Sequence, residues 1–496
     1  FGEHNVGGLL LYNQSKKYYP KTFTEVPTAY VGLVGRLTYD YKSRYVGEFN
    51  FGYNGSENFA KGNRFGFFPS IAAGWIVSEE EFMRPVQNYI NKLKLRASYG
   101  LAGNDRFYND DGSQKRFAYI TTIGSTDGYK WGNSNAFYEK GGLREGDPGV
   151  ESLTWETVKK ANVGIELGLF KMAELQVDFF HERREDIFMQ RKNIPSSAGF
   201  PSAPWANYGI VTNKGFDISL DLNKQINKDW FISARASVTY AKNKIIEQDE
   251  DLGVLGTYRS STGKPVGQIF GLVNDGLYTE ADFEDVTTGK LKPGLPVPKF
   301  SDRVYPGDIK YLDLNGDNEI TETDKTAIGG TVNPELVYGF GINLSYKNID
   351  FGAFFQGNGR TYRIIGENQK NFLPGSTIGA EGNIFTNASD AWTVDNPSQD
   401  VFYPRLHMGY NANNAQVSDW WLKDMSMLRL KNVELGYSFS KNLIKKAAME
   451  YARIFVRGTN LLQFSKFDLW DPELNTSNGL KYPIMATYSI GLQVRF

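Results

Sequence analysis

The run 336–346 alternates between apolar residues and residues that are mostly small or polar. An alternation with a period of two puts every second side chain on the same face of a β-strand. A second alternating run begins at Ile349, after only two intervening residues, so the pair predicts a hairpin closed by a very short turn. One face of the first run is wholly apolar and consists of Leu336, Tyr338, Phe340, Ile342, Leu344 and Tyr346.

The sequence excludes helical membrane spans but is compatible with a membrane β-barrel. No stretch approaches the ~18 consecutive apolar residues of a spanning helix, whereas closed barrels cross lipid with alternating hydrophobicity. The 29 Tyr, 34 Phe, 9 Trp and 52 Gly suit a β-rich protein. The net charge of -1 gives no reason to expect nucleic acid binding. The absence of Cys excludes a disulfide framework, a thiol nucleophile and a thiolate zinc site.

The alternation test predicts about fourteen strands, each near the ~9 to 11 residues of a tilted membrane strand. Short connections, such as 41–43, 171–173, 225–228 and 347–348, alternate along the chain with long ones, such as 103–155, 244–335 and 357–424. Outer-membrane barrels show this asymmetry, with tight periplasmic turns and extended outer loops. The connection 78–90 is longer than the other short ones and is expected to hold a helical turn. The predicted strands begin near Asn5, Tyr30, Arg44, Arg64, Asn91, Glu156, Glu174, Thr212, Asp229, Leu336, Ile349, Met425, Ala452 and Ile484.

The last strand alternates up to the chain end and finishes on an aromatic residue. An aromatic terminus on such a strand is the signal read by the machinery that inserts bacterial outer-membrane barrels. The alternative is an ordinary edge strand at the end of a soluble β protein. The residues that form the predicted insertion signal are Tyr488, Ile490, Leu492, Val494 and Phe496.

An acidic segment within 307–330 predicts a calcium site. Its oxygen-bearing residues stand at offsets 1, 3, 5, 7, 9 and 12, the spacing of an EF-hand-like loop. Position 6 is Asn318 instead of glycine, and Asn tolerates the left-handed backbone required there. Ca²⁺ is favoured over Mg²⁺ because flexible cages of protein oxygens suit the larger ion; Asx turns without metal are the alternative. The predicted ligands are Asp313, Asn315, Asp317, Glu319, Thr321 and Asp324.

Aromatic residues in or beside the long connections are candidates for ligand stacking, because sugar rings and peptides pack on such faces. Packing of the loops against one another is the alternative for each residue. Enzyme signatures are absent: the three His are isolated, and no GxSxG, P-loop or HExxH motif occurs. We therefore predict a protein that is not an enzyme. The candidate substrate-binding residues are Trp131, Trp205, Tyr208, Trp392 and Trp420.

Several segments together resemble the SusC/RagA family of TonB-dependent outer-membrane transporters. They follow the family's order and cover nearly the whole chain, including the acidic loop. The segments are GFFPSIAAGW (66–75), LKLRASYGLAGN (93–104), LTWETVKKANVGIELGLF (153–170), NKGFDISLDL (213–222), GDIKYLDLNGD (307–317), LRLKNVELGYSF (428–439) and ARIFVRGTNLLQFSKFDLWDPE (452–473).

The resemblance implies an all-β fold, a transmembrane antiparallel β-barrel in which residues 1–496 form the C-terminal part of a barrel of about 22 strands. The plug domain and the first strands are expected to precede this portion. The implied function is TonB-dependent uptake of oligosaccharides or peptides across the bacterial outer membrane. The implied partners are a SusD-like surface lipoprotein, the TonB complex, the barrel-insertion machinery and membrane lipid. A passive porin or adhesin barrel, and a soluble calcium-dependent glycan-binding β protein, are the alternatives.

Overall fold

The computed structural model describes residues 2–18, 27–108, 112, 114–133, 136–200, 202–366, 373–374, 386–445 and 448–496. Fourteen long strands form one sheet in which spatial order follows chain order. They are β1 (His4–Lys17), β2 (Thr28–Tyr41), β3 (Tyr45–Ser56), β4 (Phe65–Ile76), β5 (Ile90–Asn104), β6 (Glu156–Leu169), β7 (Ala173–Gln190), β8 (Trp205–Gln225), β9 (Trp230–Glu247), β10 (Leu336–Tyr346), β11 (Ile349–Gly359), β12 (Met427–Ser438), β13 (Tyr451–Ser465) and β14 (Thr487–Arg495).

All fourteen predicted strands are present, and thirteen begin within three residues of the expected position. The exception is β8, which begins at Trp205 instead of near Thr212, because its hydrogen-bonded ladder extends beyond the alternating apolar pattern. The expected strand length is also corrected. The strands run from 9 residues in β14 to 21 residues in β8, so several are longer than a bilayer crossing requires. An alternating pattern marks only the part of a strand that has one apolar face, so it misses the extension.

The connections confirm the predicted alternation of short and long, except that 77–89, a member of the short set, is longer than the neighbouring connection 57–64. β10 and β11 are joined by residues 347–348 alone, with Lys347 at a positive φ of 51°. The connection between β4 and β5 contains two 3₁₀ turns, Val77–Glu79 and Glu81–Val86, as expected. A one-turn α-helix, Lys441–Ile444, lies between β12 and β13. Among the described residues, no helix has the length and apolar character needed to cross a membrane.

The long connections build small sheets of their own. Between β5 and β6 lie the hairpins Phe107–Tyr108 with Gln114–Lys115, and Ile123–Asn133 with Ala136–Glu145. Further short strands are Gln268–Gly271, Asn274–Leu277, Phe283–Asp285, Lys290–Leu291, Val297–Pro298, Ile309–Tyr311, Glu319–Ile320, Thr326–Thr331, Tyr362–Ile364 and Leu422–Asp424. Within the described ranges, the other 3₁₀ turns are Ser196–Ala198, Glu280–Asp282, Glu322–Asp324, Thr386–Ser389 and Pro472–Leu474.

The chain divides into two compact units. The first comprises residues 1–221 and 241–255, and the second comprises residues 222–240 and 256–496. Each has a hydrophobic core built mainly from residues in or beside the connections. In the first unit this core contains Phe59, Phe107, Leu153, Trp155 and Phe188. In the second unit, residues of three long connections bury a larger core, which includes Leu272, Ile309, Tyr311, Ile365, Trp392, Tyr403 and Trp421.

Candidate functional site

The strands of the first unit carry one apolar and one polar face, and both faces continue from strand to strand. Cross-strand pairing fixes which side chains stand side by side. One apolar row consists of Tyr41, Tyr45, Trp75, Leu95, Ile165 and Val177, on β2 through β7. A polar row on the opposite face consists of Arg36, Asn50, Ser70, Gly100, Lys160 and Glu182.

The strands of the second unit have the same two faces. A continuous apolar surface on one side and a polar surface on the other is the pattern of a barrel wall between lipid and an aqueous lumen. The apolar row consists of Ile232, Leu344, Phe351, Leu435, Val456 and Ile490, on β9 through β14. The neighbouring row on the polar face consists of Ser233, Asn343, Gly352, Glu434, Arg457 and Ser489.

Aromatic rings collect on the apolar face where the connections are short. In the first unit the ring centroids of Tyr41 and Tyr45 are 6.4 Å apart, as are those of Tyr45 and Trp75. In the second unit Trp230 and Tyr346 approach to 4.5 Å. Tyr and Trp concentrate at the boundary between lipid and water because each ring has an apolar body and a polar edge. These rings therefore mark one edge of the membrane-facing band in each unit.

The predicted insertion signal lies on β14 and just beyond it. Tyr488, Ile490 and Leu492 project from the apolar face of that strand, and Ile490 ends the apolar row of the second unit. Phe496 follows the last strand residue and is 81% exposed. The structure thus gives these side chains the alternation that the sequence predicts. Their recognition by insertion machinery stays a prediction.

The acidic loop adopts the backbone that its spacing predicts. Asn318, at position 6, has a φ of 62°. The carboxylate of Asp313 accepts hydrogen bonds from the backbone N–H groups of Gly316 at 2.7 Å and Asn318 at 2.8 Å. Asp317 accepts from the N–H of Glu319 at 2.8 Å. Local acceptors at alternating positions therefore fold the loop into a tight turn.

The last predicted ligand, Asp324, connects the beginning of the loop to its end through hydrogen bonds. Asp324 is fully buried, and its carboxylate accepts from the N–H groups of Leu314 at 2.9 Å and Thr321 at 2.8 Å. Asn315 donates from its amide to Asp317 at 2.8 Å. Across the described residues, no three His, Asp or Glu side chains are grouped so as to hold a metal ion. The backbone fits a cation loop, whereas the side-chain oxygens are engaged in hydrogen bonds; Ca²⁺ binding stays a prediction.

Trp131 is the candidate aromatic residue with an open face. It lies on the protruding hairpin Ile123–Asn133 with Ala136–Glu145 and is 46% exposed. Its ring centroid is 5.1 Å from that of Tyr138 and 5.5 Å from that of Tyr129. Three exposed rings side by side on one hairpin can stack against a ligand.

Trp205 and Tyr208 are engaged within the protein. The ring of Trp205 stacks on Phe188, with centroids 4.5 Å apart and an interplanar angle of 6°, and Lys115 Nζ stands 5.0 Å from its centroid. Tyr208 lies under the guanidinium of Arg191 at 4.5 Å. Each ring therefore already has a partner on at least one face, which favours packing for both.

Trp392 and Trp420 belong to the outer core of the second unit. Trp392 is buried, and the backbone of Gly307 packs directly on its ring. The indole N–H of Trp420 donates to the carbonyl of Phe402 at 3.1 Å. Their surroundings indicate that both stabilise the long connections. The five candidate aromatic residues are thus not brought together in one site.

Two polar junctions join distant segments, and the sequence gives no local signal for either. The buried carboxylate of Asp308 meets His407 Nε2 at 2.5 Å and accepts from Asn414 at 2.8 Å and Asn411 at 3.2 Å. Asp249 accepts from Arg191 Nε at 2.8 Å. The partners are 58 to 106 residues apart, so only tertiary structure pairs them.

Several known proteins are similar in sequence to this chain. No family model matches the chain. The TonB-dependent receptor P26 of Formosa agariphila is 30% identical over 489 residues, which are 93% of this chain and 46% of the relative. The TonB-dependent receptor SusC of Bacteroides thetaiotaomicron is 25% identical over 478 residues, 94% of this chain and 44% of SusC. The chain belongs to the SusC/RagA family of TonB-dependent transporters.

The structural comparison confirms the fold of this SusC/RagA-family chain. A structure of the RagAB peptide importer in its closed-closed state aligns with a TM-score of 0.72 at 22% identity, over 99% of this chain and 53% of that chain. The predicted all-β, transmembrane antiparallel barrel fold is therefore correct. The family members compared are receptors and transporters instead of enzymes, which is consistent with the absence of catalytic motifs. The SusC/RagA-family chain spans about half the length of the curated relatives it matches.

Proposed function

We propose that this chain forms barrel wall and outer loops of an outer-membrane importer that is driven by TonB. The observation that carries the proposal is the pair of opposed faces on β2 through β7 in the first unit and on β9 through β14 in the second. A lipid-facing and a lumen-facing surface are the two sides of a pore wall in a membrane. The relatives are TonB-dependent receptors, which supports TonB as the source of energy for import. The barrel contributes no covalent chemistry; its lumen wall and loops hold and pass a nutrient.

We propose that the nutrient is an oligosaccharide or a peptide and that a SusD-like surface lipoprotein captures it with the outer loops. The peptide alternative is supported by the fold shared with the RagAB peptide importer. The oligosaccharide alternative is supported by the exposed rings of Tyr129, Trp131 and Tyr138, since sugars stack on aromatic faces. The large outer connections offer the surface on which a lipoprotein can close.

The proposal is tested in the native host by deleting the gene and following uptake of labelled oligosaccharides and peptides. Complementation with the full-length gene is expected to restore uptake of one ligand class, and inactivation of TonB is expected to abolish it again. Uptake that survives loss of TonB would contradict the importer and support a passive pore. Purification of the native complex is expected to bring the lipoprotein with the barrel.

A further inference from the structure

In the first unit an arginine reaches across a whole strand. Arg96 on β5 donates from Nη2 to Asp178 Oδ2 on β7 at 2.6 Å, although β6 lies between these two strands. In the register Arg96 pairs with Gly164 of β6, and Gly164 pairs with Asp178. The side chain therefore passes directly over the glycine. Asp178 is almost completely buried beneath this bridge and also accepts from Gln176 at 3.0 Å.

Gly164 is what leaves room for the bridge. A Cβ atom at this position would stand 2.6 Å from Asp178 Oδ1 and 2.9 Å from Arg96 Nε. A glycine inside a strand makes the strand less stable than a residue with a side chain would. Such glycines are often found where another group approaches the backbone closely. Gly164 does not have a positive φ, so its backbone conformation does not require glycine. The close approach of Arg96 explains why a glycine stands here.

The second unit contains a related arrangement in the opposite chain order, in which the arginine pairs not with the glycine but with Ser438, two residues further along β12. Arg453 on β13 donates from Nε to Asp350 Oδ1 on β11 at 2.9 Å, and β12 lies between them. Gly436 of β12 pairs with Asp350, and a Cβ atom there would overlap the guanidinium of Arg453. Two strand triplets in separate units thus place an arginine over a glycine to reach an aspartate.

The similarity extends to the neighbouring charges. In each triplet a glutamate lies two residues from the glycine on the same strand, Glu166 or Glu434, and it also contacts the arginine. A second cation four residues from each arginine completes the group: Lys92 is 2.9 Å from Glu166, and Arg457 is 2.6 Å from Glu434. A single exposed ion pair contributes little to stability. Hydrogen bonds between charged groups are stronger than neutral ones, and bonds that share a partly buried arginine polarise one another.

We propose that these two clusters are cross-braces of the lumen wall. Each fixes the register of three successive strands at once, and Gly164 and Gly436 are the residues that permit it. A register slip of one residue would move every polar side chain of a strand to the apolar face. A contact that spans two strand pairs opposes such a slip in both pairs. The inference goes beyond the proposed function, because it holds for any solute that the barrel passes.

The experiment substitutes Gly164 by Ala in the full-length protein in native outer-membrane vesicles. The readout is the midpoint temperature at which the barrel loses its heat-modifiable migration on gels. Gly74→Ala is the matched control: Gly74 faces the same side, pairs with Arg96 from β4, and has no neighbour closer than 3.5 Å to an added Cβ. Gly164→Ala is expected to lower the midpoint by about 2 °C or more, whereas Gly74→Ala is expected to leave it unchanged or raise it.

A double-mutant cycle separates the brace from a general cost of the extra methyl group. In an Asp178→Ala background the carboxylate nearest to an added Cβ is gone, and Arg96 no longer has a partner on β7 that draws it across Gly164. Gly164→Ala is therefore expected to cost much less in this background than in the wild type. Equal drops in both backgrounds, or equal effects of Gly164→Ala and Gly74→Ala, would overturn the proposal. If Gly164→Ala alone does not assemble, assembly of the double variant supports the brace, and failure of the double variant beside a stable Asp178→Ala overturns it. Gly436→Ala with Asp350→Ala repeats the cycle in the second unit.

Discussion

Asp249 joins two of the long connections through a single carboxylate. It accepts from Arg191 Nε at 2.8 Å and from the N–H of Lys192 at 2.6 Å. Asn193 adds a side-chain hydrogen bond at 2.9 Å. Burial alone would raise the pKa of Asp249, but these donors outweigh it and hold the pKa well below its usual range. The charged form is therefore the one that stabilises this junction.

We expect Asp249→Asn to loosen segment 191–193, because Arg191 then faces a neutral side chain. Hydrogen exchange at neutral pH is expected to become faster at the N–H groups of Lys192 and Asn193. Asp251→Asn is the control, since Asp251 caps only a local turn by accepting from Gly253 at 2.8 Å. Unchanged exchange in the Asp249 variant would show that the carboxylate does not hold the segment.

The same junction predicts a pH dependence. Because the folded-state pKa of Asp249 is depressed, its contribution is complete above the unfolded value of about 3.9. It is lost as pH falls through the lower folded value. A spin label on segment 191–193 is expected to stay immobile from pH 7 to about 4 and to become mobile only in stronger acid. Release between pH 7 and 5 would contradict this assignment.

Two tryptophans with different surroundings are expected to respond differently to truncation. Trp131→Ala removes an exposed ring and is expected to weaken ligand binding while leaving the unfolding midpoint nearly unchanged. Trp392→Ala removes a ring that is 7% exposed and is expected to cost about 3–5 kcal/mol of stability. Ligand binding by calorimetry and thermal unfolding of the purified complex measure the two effects. A large loss of stability from Trp131→Ala would mean that its ring packs within the assembled protein.

The acidic loop and the long strands differ in how far the local sequence determines their conformation. The loop has its predicted turn because its acceptors and donors lie within 10 residues of one another. The predicted alternation also located fourteen strands, since side-chain orientation in a strand depends only on neighbouring residues. It missed the first part of β8 and the small sheets of the outer connections, whose short pairings depend on distant partners.

Ca²⁺ binding by the acidic loop is expected to be detectable with Tb³⁺, which replaces Ca²⁺ and emits after excitation of a nearby tyrosine. Tyr258 is suitably placed, because its hydroxyl donates to the carbonyl of Thr323 within the loop at 2.7 Å. Emission is expected to decrease on addition of Ca²⁺ and to be lost in Asp313→Ala combined with Asp317→Ala. Asp302→Asn, outside the loop, serves as the control. Equal emission from all variants would exclude this loop as the site.

The apolar and polar faces of the strands determine which environments the folded chain can occupy. An apolar row that crosses six strands would be an aggregation hazard in water and is stable against lipid. We therefore expect a charge to be tolerated on one face and not on the other. Ile342→Arg, on the apolar face of β10, is expected to cost about 2–4 kcal/mol if it lies near the middle of the bilayer. Asn343→Arg, one residue further along and on the polar face, is expected to cost little.

The measurement is the fraction of each variant that reaches the outer membrane in heat-modifiable form. Lower assembly of Ile342→Arg beside normal assembly of Asn343→Arg would support the assignment of the two faces. The reverse order would show that the faces are exchanged, and equal assembly would argue that neither residue contacts lipid. Both residues sit on one strand with paired neighbours on each side, so a difference in strand stability cannot explain the contrast.

The fourteen long strands, their two faces and the turn of the acidic loop could be predicted from the sequence, because each depends on residues close together in the chain. Tertiary structure alone decided which charges meet. Arg96 and Asp178 are 82 residues apart, Arg453 and Asp350 are 103 apart, and Asp308 and His407 are 99 apart. It also decided that Trp205 and Trp392 pack inside the protein while Trp131 remains open. The physical reason is that alternation specifies which way a side chain points, whereas strand register and loop packing specify what it meets.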